Sequence, residues 1–343
     1  MSNKIETLDG VRGLALLNVL ILHATGLFFP SINSSLSGTA QFGVWLFFVL
    51  SAFLLTNRFF VTGFSFSSLL SYFLGRSLRI LPVFFLAVYV YYWAGLFNEE
   101  TLEKIITFSG SYAHFWTIPV EFSFYFILPF IAFAVIWLSE RYGALNGVLF
   151  LLVLGCVIQY FYPYSNLTLG GKVMWYIPIF LCGMAISCLF MSWKTRKISA
   201  ITSDVICVVT IISCIAVSPD VIKMLGVSKP FMITNKFVFF SPLLAVMVYL
   251  LCYGKGVFGW IMKSKAMTYL GKWSFSIYLW HLLILFRIAP FNHDNIIIYV
   301  VAIVSCVGFG AISFYLIEEP CEKLRHKLMA SISSFRFIGK QTA

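Results

Sequence analysis

The sequence predicts an all-α integral membrane protein, a polytopic bundle of about ten transmembrane helices, and three observations carry that prediction. Of the 343 residues, 60% are hydrophobic and only 11% are charged, whereas a soluble chain needs roughly a quarter charged residues to cover its surface. Apolar runs long enough to cross a bilayer, roughly 17–25 residues, recur along the chain. These runs are continuous rather than alternating apolar with polar residues, which favours helices over barrel strands.

In order, the expected spans are 11–29, 42–60, 79–97, 120–138, 146–162, 173–191, 204–218, 236–253, 270–289 and 296–318. The first is long enough to span and carries a charge near its start, so it reads as a helix rather than a cleaved signal peptide. The seventh, DVICVVTIISCIAVS, is short for a crossing. Charge supports it. With a cytoplasmic N-terminus, 18 of the 24 Lys and Arg fall on the cytoplasmic side and 6 on the other. That bias is the one that orients membrane proteins, and it puts both termini in the cytoplasm. Dropping the seventh span would place the later basic loops and the tail outside. The net charge of +11 is then a property of the loops, and no basic patch beyond them points to nucleic acid.

The connections are short, with no appended soluble domain, repeat or low-complexity stretch. Residues 1–325 read as the transmembrane domain and 326–343 as a basic cytoplasmic tail, with an amphipathic helix from EKLRHKL onward. Residues 58–79 form the longest cytoplasmic connection before it, and FSFSSLLSYFLGRSLRILP predicts an interfacial or partly re-entrant segment. Residues 98–119 form the main acidic external loop, with Glu99, Glu100 and Glu103. Seven of the eight cysteines lie inside apolar runs and none forms a CxxC pair. That is the pattern of buried small hydrophobes, not of a disulfide framework or a zinc site.

Ionisable groups inside a membrane are costly, so each is a candidate functional residue. Arg12 and His23 are eleven positions apart, about three helical turns plus roughly 20°, so both project from one face with a rise of about 16 Å. Asp9, three residues before Arg12, can pair with it. The pair suits a cationic anchor for an anionic ligand with a proton-handling imidazole deeper in; a snorkelling arginine and a hydrogen-bonded structural histidine is the alternative. Arg76 and Arg79, one turn apart, suit phosphate or pyrophosphate, or are ordinary cytoplasmic-side cations. Glu121 in FWTIPVEFSFYFILP can orient a histidine, bind substrate hydroxyls or pair with a structural cation, and Trp116 reads as an interfacial anchor. His281 lies deep in the ninth span with Tyr278 three residues earlier, and Glu318 ends the tenth beside Glu319 and Pro320. His114 and His293 fall in external loops and His326 in the tail, with no role assigned. No histidine–carboxylate cluster has metal-ligand spacing, and there is no phosphate-binding glycine loop or nucleophile elbow.

Taken in order, these segments resemble the acyltransferase-3 family of membrane acyltransferases. LDGVRGLALLNVLILHA is similar to the family's first helix, with its arginine and histidine, and FGVWLFFVLSAFLL to its FFVxSGF-type helix, with Ala52 where glycine is usual. FLGRSLRILP resembles its arginine-rich segment, and FWTIPVEFSFYFILP its W-S-L-x-V-E-x-x-F-Y-x-x-x-P segment, with Thr117 and Ile118 for serine and leucine. WSFSIYLWH resembles its S-Y-S-I-Y-L-x-H segment and IEEP its closing E-x-P. The resemblance covers about residues 5 to 325. It implies a multi-pass protein of the bacterial cytoplasmic (inner) membrane that transfers an acyl group, usually acetyl from acetyl-CoA, to a hydroxyl of an extracytoplasmic glycan, a glycolipid precursor or a small molecule. It implies His23 as catalytic histidine and Arg12 as essential arginine, and it strengthens Arg76, Arg79, Glu121 and Glu318. Acyl-CoA is then a co-substrate, with no permanently bound cofactor.

On that basis Arg12, Arg76 and Arg79 are expected to hold the donor phosphates, His23 to act as general base, and the acceptor to enter from outside near Glu121. Tyr278 or His281 could meet the developing oxyanion. A transporter or flippase is the alternative; the lack of paired Gly/Pro-broken helices in matching halves counts against it. A scaffold without chemistry would not need Arg12 and His23 aligned.

Overall fold

The computed structural model describes residues 5–167, 172–193, 197–226 and 233–338. Lys4, Lys194, Arg196, Lys229 and Lys340, all part of the charge bias above, lie outside them. Among the described residues there is no β-strand, and the chain folds as fifteen α-helices joined by short turns. They are α1 (Thr7–Phe28), α2 (Pro30–Asn33), α3 (Gln41–Thr62), α4 (Phe66–Trp93), α5 (Glu99–Ile106), α6 (Thr117–Tyr142), α7 (Ala144–Phe161) and α8 (Val173–Ser192). The remainder are α9 (Ala200–Ala216), α10 (Pro219–Met224), α11 (Phe237–Leu251), α12 (Gly256–Met262), α13 (Lys265–Ile288), α14 (Ile296–Ser313) and α15 (Glu319–Ile338).

Eight of these elements are long and apolar enough to cross a membrane: α1, α3, α4, α6, α7, α8, α13 and the run from α14 into α15. The eighth expected span is α11, and the stretch after it, expected as a loop, holds α12, turned by 80° from α11. The seventh is α9, an apolar helix of 17 residues, short as its sequence implied. Helices suit this solvent because every backbone group is satisfied within the segment.

The third span departs from expectation. The stretch read as interfacial or re-entrant is the first half of one continuous 28-residue helix, α4, capped at its start by the Ser65 hydroxyl accepting from Ser68 N–H. Serines and arginines that look interfacial in sequence turn inward here. The Arg58 guanidinium donates to Ser71 Oγ (2.8 Å), Thr62 Oγ1 and Ser68 Oγ share a hydrogen bond (2.8 Å), and Arg79 faces Glu318. Pro82 sits inside α4; proline in a spanning helix is tolerated where neighbours re-satisfy the freed carbonyl. The acidic external loop contains α5, whose Lys104 pairs with Glu100 one turn away (2.5 Å). At the far end the chain does not stop at Pro320: a π turn over Phe314–Glu318 carries α14 into α15, a device that absorbs a missing backbone donor. α15 runs unbroken through residue 325.

The bundle is built around α1, α3, α8 and α13. In α3, 61% of the apolar window is buried within the protein, against 17% in α7, which lies at the lipid-facing periphery. Contact without side chains sets the tightest crossings. A methyl group at Gly271 of α13 would collide with the Asp9 carbonyl of α1, and one at Gly183 of α8 would collide with the Val49 carbonyl of α3. Small residues allow such approaches, and in lipid close packing is a main source of helix association. Ala52, the departure from the family pattern, is fully buried against Gly183. All eight cysteines are free thiols.

Candidate active site

Two cavities lie within the bundle and share a wall. The first opens among the residues near the start of α1. This end of the bundle, the basic end, also carries the start of α15. Arg12 comes from α1, Ser51 from α3, Arg76 and Arg79 from α4, and Glu121 and Tyr125 from α6. The second is reached from the opposite end, and His23, Asn33, Gln41, His114, Trp116 and Thr234 contribute to its lining. Val44 and Tyr278 line both. Arg12 and His23, three turns apart on α1, therefore line two different cavities that adjoin at Val44 and Tyr278.

In the basic-end cavity the charges are only partly matched. Arg12 Nη1 lies 3.4 Å from Asp9 Oδ1. Arg79 Nε lies 3.6 Å from Glu318 Oε1, and the Ser276 hydroxyl donates to Glu318 Oε2 (3.0 Å). Glu318 is thus a buried brace for Arg79 rather than an exposed helix-end carboxylate. Arg76 makes no hydrogen bond or ion pair among the described residues, and its Nε is buried without a partner. Glu121 accepts from the hydroxyls of Tyr125 (2.5 Å) and Ser51. It touches no histidine and lies in the basic-end cavity, so the expectation that it orients a histidine or greets an acceptor at the opposite mouth is not met by its contacts.

The second cavity has a different character. None of the residues lining it carries a formal charge; amides, hydroxyls, two imidazoles and an indole form its polar surface. Trp116, expected as an interfacial anchor, is only 9% exposed and packs on Tyr176, because the turn Ala113–Trp116 folds inward before α6 begins. The same turn buries His114, read in sequence as an external loop residue without a role. Its Nε2–H donates to the Leu279 carbonyl (3.0 Å), and its ring meets that of His281 edge-on at 5.0 Å.

The histidines are ordered by one backbone carbonyl. His281 Nδ1 is 2.6 Å from the Tyr278 carbonyl. A carbonyl only accepts, so Nδ1 carries the proton, and the Nε2 of a neutral His281 is an acceptor. His23 Nδ1 lies 3.0 Å from that Nε2 and therefore donates to it. The remaining nitrogen of a neutral His23, Nε2, is left with a lone pair. The turn that carries His281 is itself pinned: the Tyr91 hydroxyl donates to the Leu279 carbonyl (3.0 Å) and accepts from Leu283 N–H (2.7 Å), two groups that an undisturbed helix pairs with each other. Tyr278 donates its hydroxyl proton to the His114 carbonyl (2.9 Å) and contacts Thr117 Oγ1 (3.0 Å). Neither Tyr278 nor His281 keeps a free donor for an oxyanion; both hold structure around His23.

Tyr91, Ser51 and Tyr125 escape a reading of sequence alone, and His114 is passed over there. Tyr91 sits in the run YVYYW, where nothing separates a helix-pinning hydroxyl from an interfacial ring. His114 had a legible signal: a histidine directly before an aromatic pair and a helix start. His293 and His326 lie away from both cavities. Among the described residues no set of three His, Cys, Asp or Glu side chains is arranged to hold a metal ion.

The model of a family described as an acyltransferase domain matches residues 5–316. Similar curated proteins are bacterial. YrhL of Bacillus subtilis (strain 168), provisionally named a peptidoglycan O-acetyltransferase, is 21% identical over 92% of this chain and 54% of its own length. The O-acetyltransferase OatA of Staphylococcus aureus (strain NCTC 8325 / PS 47) is 20% identical over 94% of this chain and 58% of its own. The peptidoglycan O-acetyltransferase OatA of Listeria monocytogenes serovar 1/2a is 22% identical over 93% and 56%. The chain thus spans little more than half the length of these relatives. No solved structure matches.

Proposed function

The chain belongs to the acyltransferase-3 family, and from that premise we propose that it is a membrane O-acyltransferase. It moves an acyl group, in the first place acetyl, from cytoplasmic acyl-CoA to a hydroxyl of an extracytoplasmic glycan or glycolipid precursor. The observation that carries the proposal is the meeting of two unlike cavities at Tyr278 and Val44. One presents three arginines, as a multiply anionic donor requires; the other is uncharged and rich in amides and hydroxyls with one indole, a surface suited to a neutral polyol. Two of the relatives are named as peptidoglycan O-acetyltransferases, which supports a glycan acceptor.

The reaction follows from the tautomers. The donor's phosphates rest among Arg12, Arg76 and Arg79 at the basic end, taken as cytoplasmic, and its acyl-bearing arm passes the Tyr278–Val44 wall toward His23. The acceptor hydroxyl donates to His23 Nε2. As its oxygen attacks the thioester carbonyl, the proton moves to Nε2, the carbon–sulfur bond breaks, and the thiolate recovers the proton from the imidazolium. The products are an ester and free CoA. While His23 carries the charge, its Nδ1–H bond to His281 becomes charge-assisted and stronger, so stabilisation rises during the transfer itself. General-base assistance of this kind is worth about 10²–10⁴-fold. Glu121, clamped by Ser51 and Tyr125, positions the wall of the donor cavity rather than moving a proton.

The test is thiol release from acetyl-CoA by the purified protein in the presence of a glycan acceptor. Acceptor-dependent release, abolished in His23→Ala at normal protein abundance, is the expected result. Movement of glycolipid across vesicles with no thiol released would replace the reading by transport.

A further inference from the structure

Three helices bring guanidinium groups to the bare backbone of one glycine. A β-carbon at Gly75 of α4 would lie 3.2 Å from Nη1 of Arg325 in α15 and 3.9 Å from Nη1 of Arg58 in α3. The next residue is Arg76, whose charge, with that of Arg325, bears on Arg58. Protein partners satisfy only part of the three. Arg58 donates to Ser71 (2.8 Å), and Arg325 Nη2 contacts Glu322 (2.7 Å) and His326 (2.8 Å). Arg76 has no partner among the described residues, and Nε of both Arg76 and Arg325 is buried without one. Only one of the three makes an ion pair, Arg325 with Glu322, which leaves a local excess of positive charge that a partly buried site tolerates poorly unless an anion completes it.

We propose that Arg58, Arg76 and Arg325 form a phosphate-binding site over Gly75, so that the C-terminal helix α15 is a working part of the membrane domain rather than an appended tail. The planar, forked donors of three arginines match the oxygens of a phosphomonoester or diphosphate. Glycine at 75 keeps the floor open, since any side chain there would enter the cradle. Because Arg76 also lines the basic-end cavity, the site continues that cavity outward. It rests on the acyl-CoA reading above for one of its two sources, the nucleotide phosphates of the donor; the other is the phosphate of an anionic lipid headgroup.

The experiment uses the full-length protein and needs no turnover. Binding of CoA and of 3′-dephospho-CoA is measured by calorimetry in detergent. Binding to vesicles of phosphatidylcholine with and without phosphatidylglycerol is measured in parallel, for wild type, Arg58→Gln, Arg325→Gln and the charge-preserving Arg325→Lys. Loss of one charge-assisted contact weakens phosphate binding by roughly tenfold to a hundredfold. If wild type prefers CoA and the Gln variants lose that preference, the donor phosphate is the ligand. If instead the variants lose a preference for phosphatidylglycerol vesicles, the site stands with a lipid as its source. Neither preference in wild type, or preferences unchanged in both Gln variants at unaltered thermal stability, overturns the site. A variant that fails to fold is replaced by Arg325→Lys, which keeps the charge but not the fork and should retain only part of the preference. Thiol release in the same preparations separates the two readings: turnover without phosphate preference sinks the site alone, and phosphate preference without turnover sinks the catalytic reading alone.

Discussion

The two cavities differ in how their polar groups are spent. At the basic end, charges are abundant and imperfectly matched: Arg12 leans on Asp9 at 3.4 Å, Arg79 on Glu318 at 3.6 Å, and Arg76 on nothing among the described residues. Around His23 the reverse holds, since no charged residue lines the cavity and His281, Tyr278, His114 and Tyr91 are each committed to named partners. Unmatched charge invites a ligand, whereas side chains each held by a named partner fix a geometry. Binding and chemistry are therefore expected to separate in space, with substitutions in one cavity altering donor affinity and those in the other altering turnover.

His23→Ala should break that division most severely if it is wrong. Turnover is expected to fall by about 10²–10⁴-fold with the donor KM nearly unchanged; a large rise in donor KM instead would place His23 in binding. Arg76→Ala should do the opposite, raising the KM for acetyl-CoA by roughly tenfold to a hundredfold with kcat largely kept, as steady-state kinetics over a donor titration would report. His281→Ala removes the acceptor for His23 Nδ1–H. One hydrogen bond of about 1–1.5 kcal/mol corresponds to roughly a tenfold fall in kcat. His281→Gln, whose amide oxygen can accept that proton, should recover part of it, which a purely packing role would not require. The smallest effect is expected from Gln41→Ala, a several-fold rise in acceptor KM of the order of one hydrogen bond, with donor kinetics untouched. A change in donor KM there would show that the two chambers are not separate.

Much of the architecture was legible because a spanning helix is written locally, in twenty or so apolar residues bounded by turns. The misreadings share one cause. Ser67, Ser68, Ser71, Arg76 and Arg79 look interfacial in a linear sequence, and only the packing of α3, α6 and α15 around α4 makes that segment a continuous helix facing a cavity. Trp116 and His114 were set at the membrane boundary because residues 98–119 read as a loop, yet the inward turn at Ala113–Trp116 is fixed by contacts with α13, more than 160 positions away. The face shared by Arg12 and His23 and the pairing of Asp9 with Arg12 depend on helical spacing alone, and there the sequence was sufficient. The His23–His281 contact joins residues 258 positions apart; nothing local encodes it. α12, turned by 80° from α11, likewise hid in a stretch that reads as a basic loop.

The backbone-to-backbone contact of α1 and α13 at Gly271 has a mechanical consequence. His23 and His281 ride on two helices that touch with no side chain between them, so the pair moves as one solid piece. Any breathing that admits donor or releases product must be borne elsewhere, and α4, which carries Pro82 within it and bears Arg76 and Arg79, is the natural hinge. The chemistry would then be an anvil, with the donor side working against it. A methyl group added at Gly271, ten residues from His281 and in contact with neither cavity, would wedge that anvil apart and pass in an assay for a catalytic mutation.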